Sequence, residues 1–231
     1  MYNKNRQREE MTMKITAVNA SPRPAGNTAE LIKAALEGAA SAGAETVYYD
    51  LYRQPKFTGC ISCFGCKLEP NEGKCRCRDG LYPILEDIRP SDAVILGSPN
   101  YLSEPTAGFR ALFERLVFQN LTYRREETRY NMPKTPVLFI MTSNADADYY
   151  DQIGYSAMIE RYRSTLENFV GETEVMICGN TLQVKDYSRF NWTMFNIPAK
   201  QERHETVFPE EKKQAFARGV QLAEKCGKAE E

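Results

Sequence analysis

The sequence predicts one α/β domain: a three-layer sandwich with a five-stranded parallel sheet and helices on both faces. Short apolar runs alternate with amphipathic stretches along most of the 231 residues. Repeated β–α units require a parallel sheet covered on both sides. No change of composition along the chain marks a second domain. Five strands fit the doubly wound order 2-1-3-4-5.

The elements follow in order. Residues 14–19 (Lys-Ile-Thr-Ala-Val-Asn) read as a buried strand. Residues 28–42 read as a helix, with Leu31, Ile32, Ala35, Leu36, Ala39 and Ala40 on one face. Strands are expected at 46–51 and 92–98. A helix over 106–118 turns Phe109, Leu112, Phe113, Leu116 and Val117 inward. A fourth strand spans 136–142. The helix at 156–170 buries Met158, Ile159, Tyr162, Leu166 and Phe169. The fifth strand covers 174–178. A last helix starts near Pro209, a favourable first-turn residue, and runs to about Cys226.

The domain is expected over 13–228, behind a solvated, disordered tail at 1–12. The first ten residues contain no apolar core of a secretory signal. Two insertions interrupt the pattern, at 57–79 and 180–207. The second contains Tyr187, Phe190, Trp192, Phe195 and the only histidine, His204. Such long connections are functional, interface arms, or mobile. These aromatics favour packing on a partner subunit or over a pocket. A lone histidine reads as a surface or interface residue.

Charge is balanced, with 30 Lys plus Arg against 31 Asp plus Glu. That excludes a strong field for nucleic acid or an anionic membrane. No apolar run approaches the roughly 20 residues of a membrane helix. A cytoplasmic location is expected, where thiols stay reduced. Five of the seven cysteines nevertheless crowd into residues 60–77: Cys60, Cys63, Cys66, Cys75 and Cys77. Clustering in a reducing compartment points to a metal, a cluster or redox chemistry. A [4Fe–4S] cluster needs four thiolates, and the first three have suitable spacing. Cys75 or Cys77 would be the fourth. A zinc site, a redox thiol pair and a loop without ligand are the alternatives. Cys178 and Cys226 read as inert.

In the 2-1-3-4-5 order, ligands bind beyond the carboxyl ends of the strands, at the switch point between strands one and three. The first loop is Asn19-Ala-Ser21-Pro-Arg23-Pro-Ala-Gly26-Asn27-Thr28. Ser21, Asn27 and Thr28 offer donors, Gly26 allows close backbone approach, and Arg23 adds charge. A helix N-terminus favours an anion, so the loop reads as a phosphate cradle. The alternative is a simple helix entry capped by Asn27 or Thr28. It is neither G-x-G-x-x-G nor G-x-x-x-x-G-K-[ST], which disfavours a tightly held dinucleotide or a P-loop NTPase. The third-strand loop, Gly97-Ser98-Pro99-Asn100-Tyr101-Leu102, offers amides to the polar edge of a ring and Tyr101 for stacking. It is also an ordinary proline-shaped turn. Ser143 and Asn144 follow the fourth strand and face the same crevice. Asp146, Asp148 and Asp151 lack the glycine and closing glutamate of a calcium loop and read as a solvated face.

The ordered set Ser21-Pro-Arg23, Gly26-Asn27-Thr28 and Gly97-Ser98-Pro99-Asn100-Tyr101 resembles the NAD(P)H-dependent FMN reductase family of flavodoxin-like proteins. The cysteine loop is similar to that of its iron–sulfur flavoprotein branch. The resemblance spans roughly residues 13–180. It implies that Ser21, Arg23, Gly26, Asn27 and Thr28 hold the FMN phosphate. Pro99, Asn100, Tyr101 and Leu102 would border the isoalloxazine, with Ser143 and Asn144 adding contacts. It also implies Cys60, Cys63, Cys66 and Cys75 as cluster ligands, and a homodimer or homotetramer. The expected activity is hydride uptake from NAD(P)H and electron delivery to a quinone, a flavin, a nitro or azo compound, or the cluster. The flavin carries this chemistry, so no catalytic side chain is singled out. The competing expectation is a non-enzymatic flavin and iron–sulfur electron carrier between protein partners. A zinc-stabilised binding domain is a third reading. Arg124, Arg125 and Arg129 read either as a grip on a 2′-phosphate or as solvated charges.

Overall fold

The computed structural model describes residues 13–130 and 134–228, so the expected tail at 1–12 lies outside the described residues. The chain runs β1 (Lys14–Asn19), α1 (Asn27–Ser41), β2 (Glu45–Asp50), α2 (Tyr82–Ile88), β3 (Ala93–Tyr101) and β4 (Glu104–Pro105). It continues α3 (Ala107–Asn120), β5 (Val137–Thr142), α4 (Tyr155–Phe169), β6 (Thr173–Cys178), α5 (Ile197–Thr206) and α6 (Phe208–Lys228). The parallel strands lie in the order β2-β1-β3-β5-β6. With the short β4 set aside, this is the expected 2-1-3-4-5 order. Each long element lies within a few residues of its expected place.

The central strands β1, β3 and β5 are buried on both faces over most of their length, and alternate residues feed two cores. Ile15, Ala17, Ile95, Leu138 and Ile140 join Leu31, Ile32, Ala35, Ala215 and Ala223 on the α1–α6 side. Val18, Val94, Leu96, Phe139 and Met141 join the α2, α3 and α4 side chains on the other. There Phe109 stacks on Phe139 with centroids 5.1 Å apart, and Phe113 meets the edge of Tyr162 at 4.7 Å. Each fully buried Leu, Ile or Phe contributes about 1.5–3 kcal/mol.

Three elements were not expected. Helix α2 buries Ile84, Leu85 and Ile88, but spans only seven residues, too few to display a period. Strand β4 forms a hairpin with β3, pairing Asn100 with Pro105 and Tyr101 with Glu104. Its two turn residues, Leu102 and Ser103, both have positive φ, 54° and 67°. Tight hairpins normally use Asn or Gly there, so nothing in Leu-Ser announces the turn. Helix α5 is polar and buries only Lys200, so it lacks an apolar stripe. Its start was nevertheless readable: Asn196 accepts from Ala199 N, and proline occupies the first turn.

Asp87 of α2 joins three elements. Its carboxylate accepts from Lys14 Nζ at 3.0 Å and from the Tyr49 hydroxyl. The Tyr49 hydrogen bond, helped by Lys14 and opposed by burial, holds Asp87 below the usual carboxylate range. Burial and Asp87 push the Tyr49 phenol up to about 12. A depressed carboxylate stabilises the fold above its unfolded pKa, and this stability is lost as pH falls through the folded value. A raised phenol stabilises below its unfolded pKa and loses this as pH rises through about 12. Asp87→Asn is therefore expected to cost about 1 kcal/mol at neutral pH, because the partly exposed pair is screened by water. Urea unfolding should show that difference shrink below the ordinary carboxylate pKa of about 3.9.

Candidate functional site

The carboxyl ends of β1, β3 and β5 lie side by side, where a doubly wound sheet has its ligand crevice. Asn19 pairs in register with Gly97, and Ala20 N donates to Gly97 O at 2.8 Å. Thr106 then fastens the first loop to the third. Its Oγ1 donates to Ala20 O at 2.7 Å, and its N–H donates to Ser98 Oγ at 3.0 Å. The same Oγ1 accepts from Phe109 N and caps α3.

The first loop folds tightly. Ser21 N donates to Asn19 Oδ1 at 3.0 Å, and Ser21 Oγ accepts from Arg23 N at 3.1 Å. A Cβ at Gly26 would lie 3.0 Å from Arg23 Cβ. The capping expectation is corrected: α1 begins after Gly26, and no side chain caps it. Thr28 instead turns inward, sharing a 2.8 Å hydrogen bond with Thr142 of β5. The Asn27 amide donates to Leu182 O at 2.8 Å, and Arg23 donates to Gln183 O. The segment after β6 therefore lies against the loop and engages two of its expected phosphate donors.

Further along the crevice, Asn100 Oδ1 accepts from Ser103 N at 3.1 Å. Its buried Nδ2 has no protein partner, and neither has the buried Oδ1 of Asn144. Pro99 pairs with Thr142 in the sheet. Tyr101 and Leu102 project from the hairpin rim, Leu102 almost wholly exposed at 97%. The Ser143 hydroxyl is committed, donating to Ala145 O and accepting from Tyr150 at 2.6 Å each. Burial pushes the Tyr150 phenol up to about 12 despite that bond. Asp146 is more than a solvated charge: it accepts from Asp148 N at 3.2 Å and from Asn180 Nδ2 at 3.4 Å. Asp148 and Asp151 are exposed.

Sequence reasoning missed Lys200. Its ammonium is buried and donates to Asn180 Oδ1 at 2.6 Å, Asn144 O at 3.3 Å and Thr181 O at 3.4 Å. Burial, aided by Arg203, holds it below the ordinary lysine value. It fixes the backbone of Asn144 at the crevice. The remaining aromatics of the second insertion gather on one another: Trp192 stacks on Phe190 at 4.3 Å and meets Phe195 at 5.9 Å. His204 stacks on Phe208 at 5.1 Å.

The cysteine loop forms a second centre against α3. Cys60, Cys63, Cys66, Cys75 and Cys77 line one cavity with Ile61, Phe64 and Phe118. Ser62 and Phe64 adopt left-handed backbone with φ of 54° and 57°, a conformation that non-glycine residues rarely take. Helix α3 anchors the loop at both ends. Cys60 N donates to Glu114 Oε2 at 3.2 Å, and Cys75 N donates to Gln119 Oε1 at 3.1 Å. Lys67 donates to Phe118 O and, at 2.5 Å, to Leu121 O, closing the carboxyl end of α3. Burial pushes the Cys66 thiol up, with Lys67 opposing. Arg124 pairs with Glu72 at 2.9 Å and Glu127 at 3.3 Å, so it braces this loop. Among the described residues, no group of three or more His, Cys, Asp or Glu is arranged to hold a single metal ion.

The partners on α3 were hidden from the sequence because they lie some 40 to 55 positions away from the loop. Arg115, Gln119 and Glu114 sit within an ordinary helical pattern. Burial of Arg115 to 1% exposure is the signal that sets it apart, and only the fold displays it. Among the described residues no helix is long and apolar enough to cross a membrane.

Known proteins are similar to parts of this chain. An iron–sulfur flavoprotein of Methanocaldococcus jannaschii is 38% identical over 103 residues, covering 45% of this chain and 51% of that protein. One from Archaeoglobus fulgidus is 30% identical over 139 residues, covering 59% and 64%. The chain spans about half the length of the curated relatives it matches. Among solved structures, an azoreductase from Bacillus anthracis superposes with a TM-score of 0.64 at 13% identity, covering 91% of this chain and 100% of that one. An NAD(P)H:quinone oxidoreductase from Methanothermobacter marburgensis gives 0.61 at 17% identity, covering 91% and 97%. At such identities the likeness is one of fold. The profile of the NADPH-dependent FMN reductases matches residues 13–149, which include the first and third crevice loops and the whole cysteine loop, and the chain belongs to that family.

Proposed function

We propose that the chain is an FMN-dependent oxidoreductase that takes hydride from NAD(P)H and passes electrons on through its cysteine centre. The observation that carries the reading is the pair of buried, unpartnered amide atoms at the crevice, Asn100 Nδ2 and Asn144 Oδ1. Leaving buried polar atoms unsatisfied costs about 1–3 kcal/mol each. One is a donor and the other an acceptor, which suits the imide edge of a flavin, itself bearing both. The uncapped start of α1 faces the same crevice and suits a phosphate. When bound, FMN supplies the hydride and single-electron chemistry. The chain's own tasks are to hold the ring edge, neutralise the phosphate and leave one ring face open. Ser21 and Gly26 shape the cradle, while Arg23, Asn27 and Thr28 border it. Pro99, Tyr101 and Leu102 lie along the rim.

Five cysteines lining one cavity support an iron–sulfur cluster there. Thiols surround a shared space, and Arg76 and Arg115 line it without any carboxylate. Positive neighbours suit a centre whose thiolates and inorganic sulfides leave it net negative. Cys60, Cys63, Cys66 and Cys75 would hold it. Residues 106 and 114 mark the crevice and the cysteine ends of α3, about 12 Å apart along the helix. Quinones, flavins, and nitro or azo compounds are the acceptor classes. The exposed Tyr101 and Leu102 supply apolar surface for a homodimer or homotetramer. Consumption of NAD(P)H by the purified protein separates an oxidoreductase from a pure electron carrier, which would show almost none.

Asn100→Asp tests the crevice. It keeps the oxygen that accepts from Ser103 N and replaces the unpartnered donor by an anionic oxygen. The expected result, by fluorescence titration, is a ten- to hundredfold rise in the FMN dissociation constant, about 1.4–3 kcal/mol. An unchanged constant would remove Asn100 from the flavin site.

A further inference from the structure

Arg115 is 1% exposed and among the largest fully buried side chains of the protein. Burying a guanidinium is costly unless every part of it is engaged. Its fork is almost fully used. Nε donates to Cys75 Sγ at 3.3 Å, Nη1 to Asp79 Oδ1 at 2.5 Å and Thr58 O at 3.4 Å, and Nη2 to Cys77 O at 2.6 Å. One side chain thus grips four residues of the cysteine loop from the face of α3. It treats the two candidate fourth thiols differently. Cys75 receives the guanidinium at sulfur, whereas Cys77 is held by its carbonyl and its sulfur lies 3.7 Å from Asp79 Oδ2. The fork thus sets a positive N–H donor at the Cys75 sulfur, while the nearest charged group at the Cys77 sulfur is a carboxylate. Asp79 is independently anchored, accepting from Thr58 N and Leu81 N at 3.0 Å each.

We propose that Arg115, aimed by Asp79, is the positioning residue of the cysteine centre: it selects Cys75 over Cys77 as the fourth thiolate and raises the centre's reduction potential. This rests on the iron–sulfur reading given above. An N–H donor and a positive charge at a ligand sulfur stabilise the more negative, reduced form. Removing Arg115 lowers the potential. Neutralising Asp79 removes a nearby negative charge and raises it. A purely structural role would not move the two variants in opposite directions.

The test uses full-length protein reconstituted anaerobically with iron and sulfide, with iron analysis and a redox titration followed by electron paramagnetic resonance. Wild type is expected to hold about four irons per chain. An iron-free wild type would sink the cluster reading itself, and this proposal with it. In iron-loaded protein, Cys75→Ser is expected to lose the iron and Cys77→Ser to keep it. Arg115→Gln is expected to shift the reduction equilibrium about tenfold towards the oxidised form, 59 mV for one electron. Asp79→Asn should move it the other way. Bound FMN reports whether each variant has folded. Should Arg115→Gln fail to bind FMN, Asp79→Asn and the two serine variants decide. Iron retained in Cys75→Ser but lost in Cys77→Ser overturns the proposal, as do potentials unmoved or moved in one direction by both charge variants.

Discussion

The Cys66→Ser variant is expected to keep its FMN and lose nearly all its iron, from about four atoms per chain to close to none. Cys66 is the most buried thiol of the loop, 6% exposed, and its sulfur faces the shared cavity. Serine is nearly isosteric, so the loop should still dock on α3 through Cys60 N, Cys75 N and Lys67. Its hydroxyl, however, does not ionise near neutral pH, and the thiolate is the metal ligand. The flavin crevice lies at the other end of α3 and is built by different loops, so its absorbance should be unchanged. Iron analysis beside the visible spectrum measures both. Full iron retention in this variant would remove Cys66 from the ligand set.

The Gly219→Ala variant is expected to lose about 3 kcal/mol or more of stability, beyond the usual range for overpacking. Helices α1 and α6 cross with backbone against backbone. A Cβ at Gly219 would lie 1.8 Å from Ala35 O, and one at Gly38 would lie 2.0 Å from Phe216 O. Neither neighbour is a flexible side chain, so a helix must move. Both helices are packed onto the sheet by Ala35, Ala39, Ala215 and Ala223, which leaves little slack. Displacing α1 also tilts the helix start proposed to face the FMN phosphate, so FMN affinity should fall with stability. Urea unfolding should show a lower midpoint at an unchanged slope.

The fold was legible because its signals are local. Strands such as Val137–Thr142 are apolar at nearly every position, and helices such as Tyr155–Phe169 carry an apolar stripe. The strand order followed from the repeating β–α units. The loops after β3 and β5 show polar residues in sequence, and Asn100 Nδ2 and Asn144 Oδ1 there are buried without a protein partner. Other parts depend on contacts between distant residues. Ser143 Oγ accepts from the Tyr150 hydroxyl, and Arg23 and Asn27 turn to carbonyls some 155 to 160 positions away. Lys200 and Arg115 look like ordinary surface charges in sequence, yet both are buried. The aromatic insertion shows the same limit, since its rings stack on one another.

One chain is proposed to join a flavin crevice to an iron–sulfur centre across α3. The ultraviolet–visible spectrum of anaerobically purified protein, with iron and zinc analysis of the same sample, tests this directly. Flavin bands, a broad absorbance near roughly 400 nm, about four irons per chain and no zinc are expected. A colourless protein that takes up neither added FMN nor iron would contradict it.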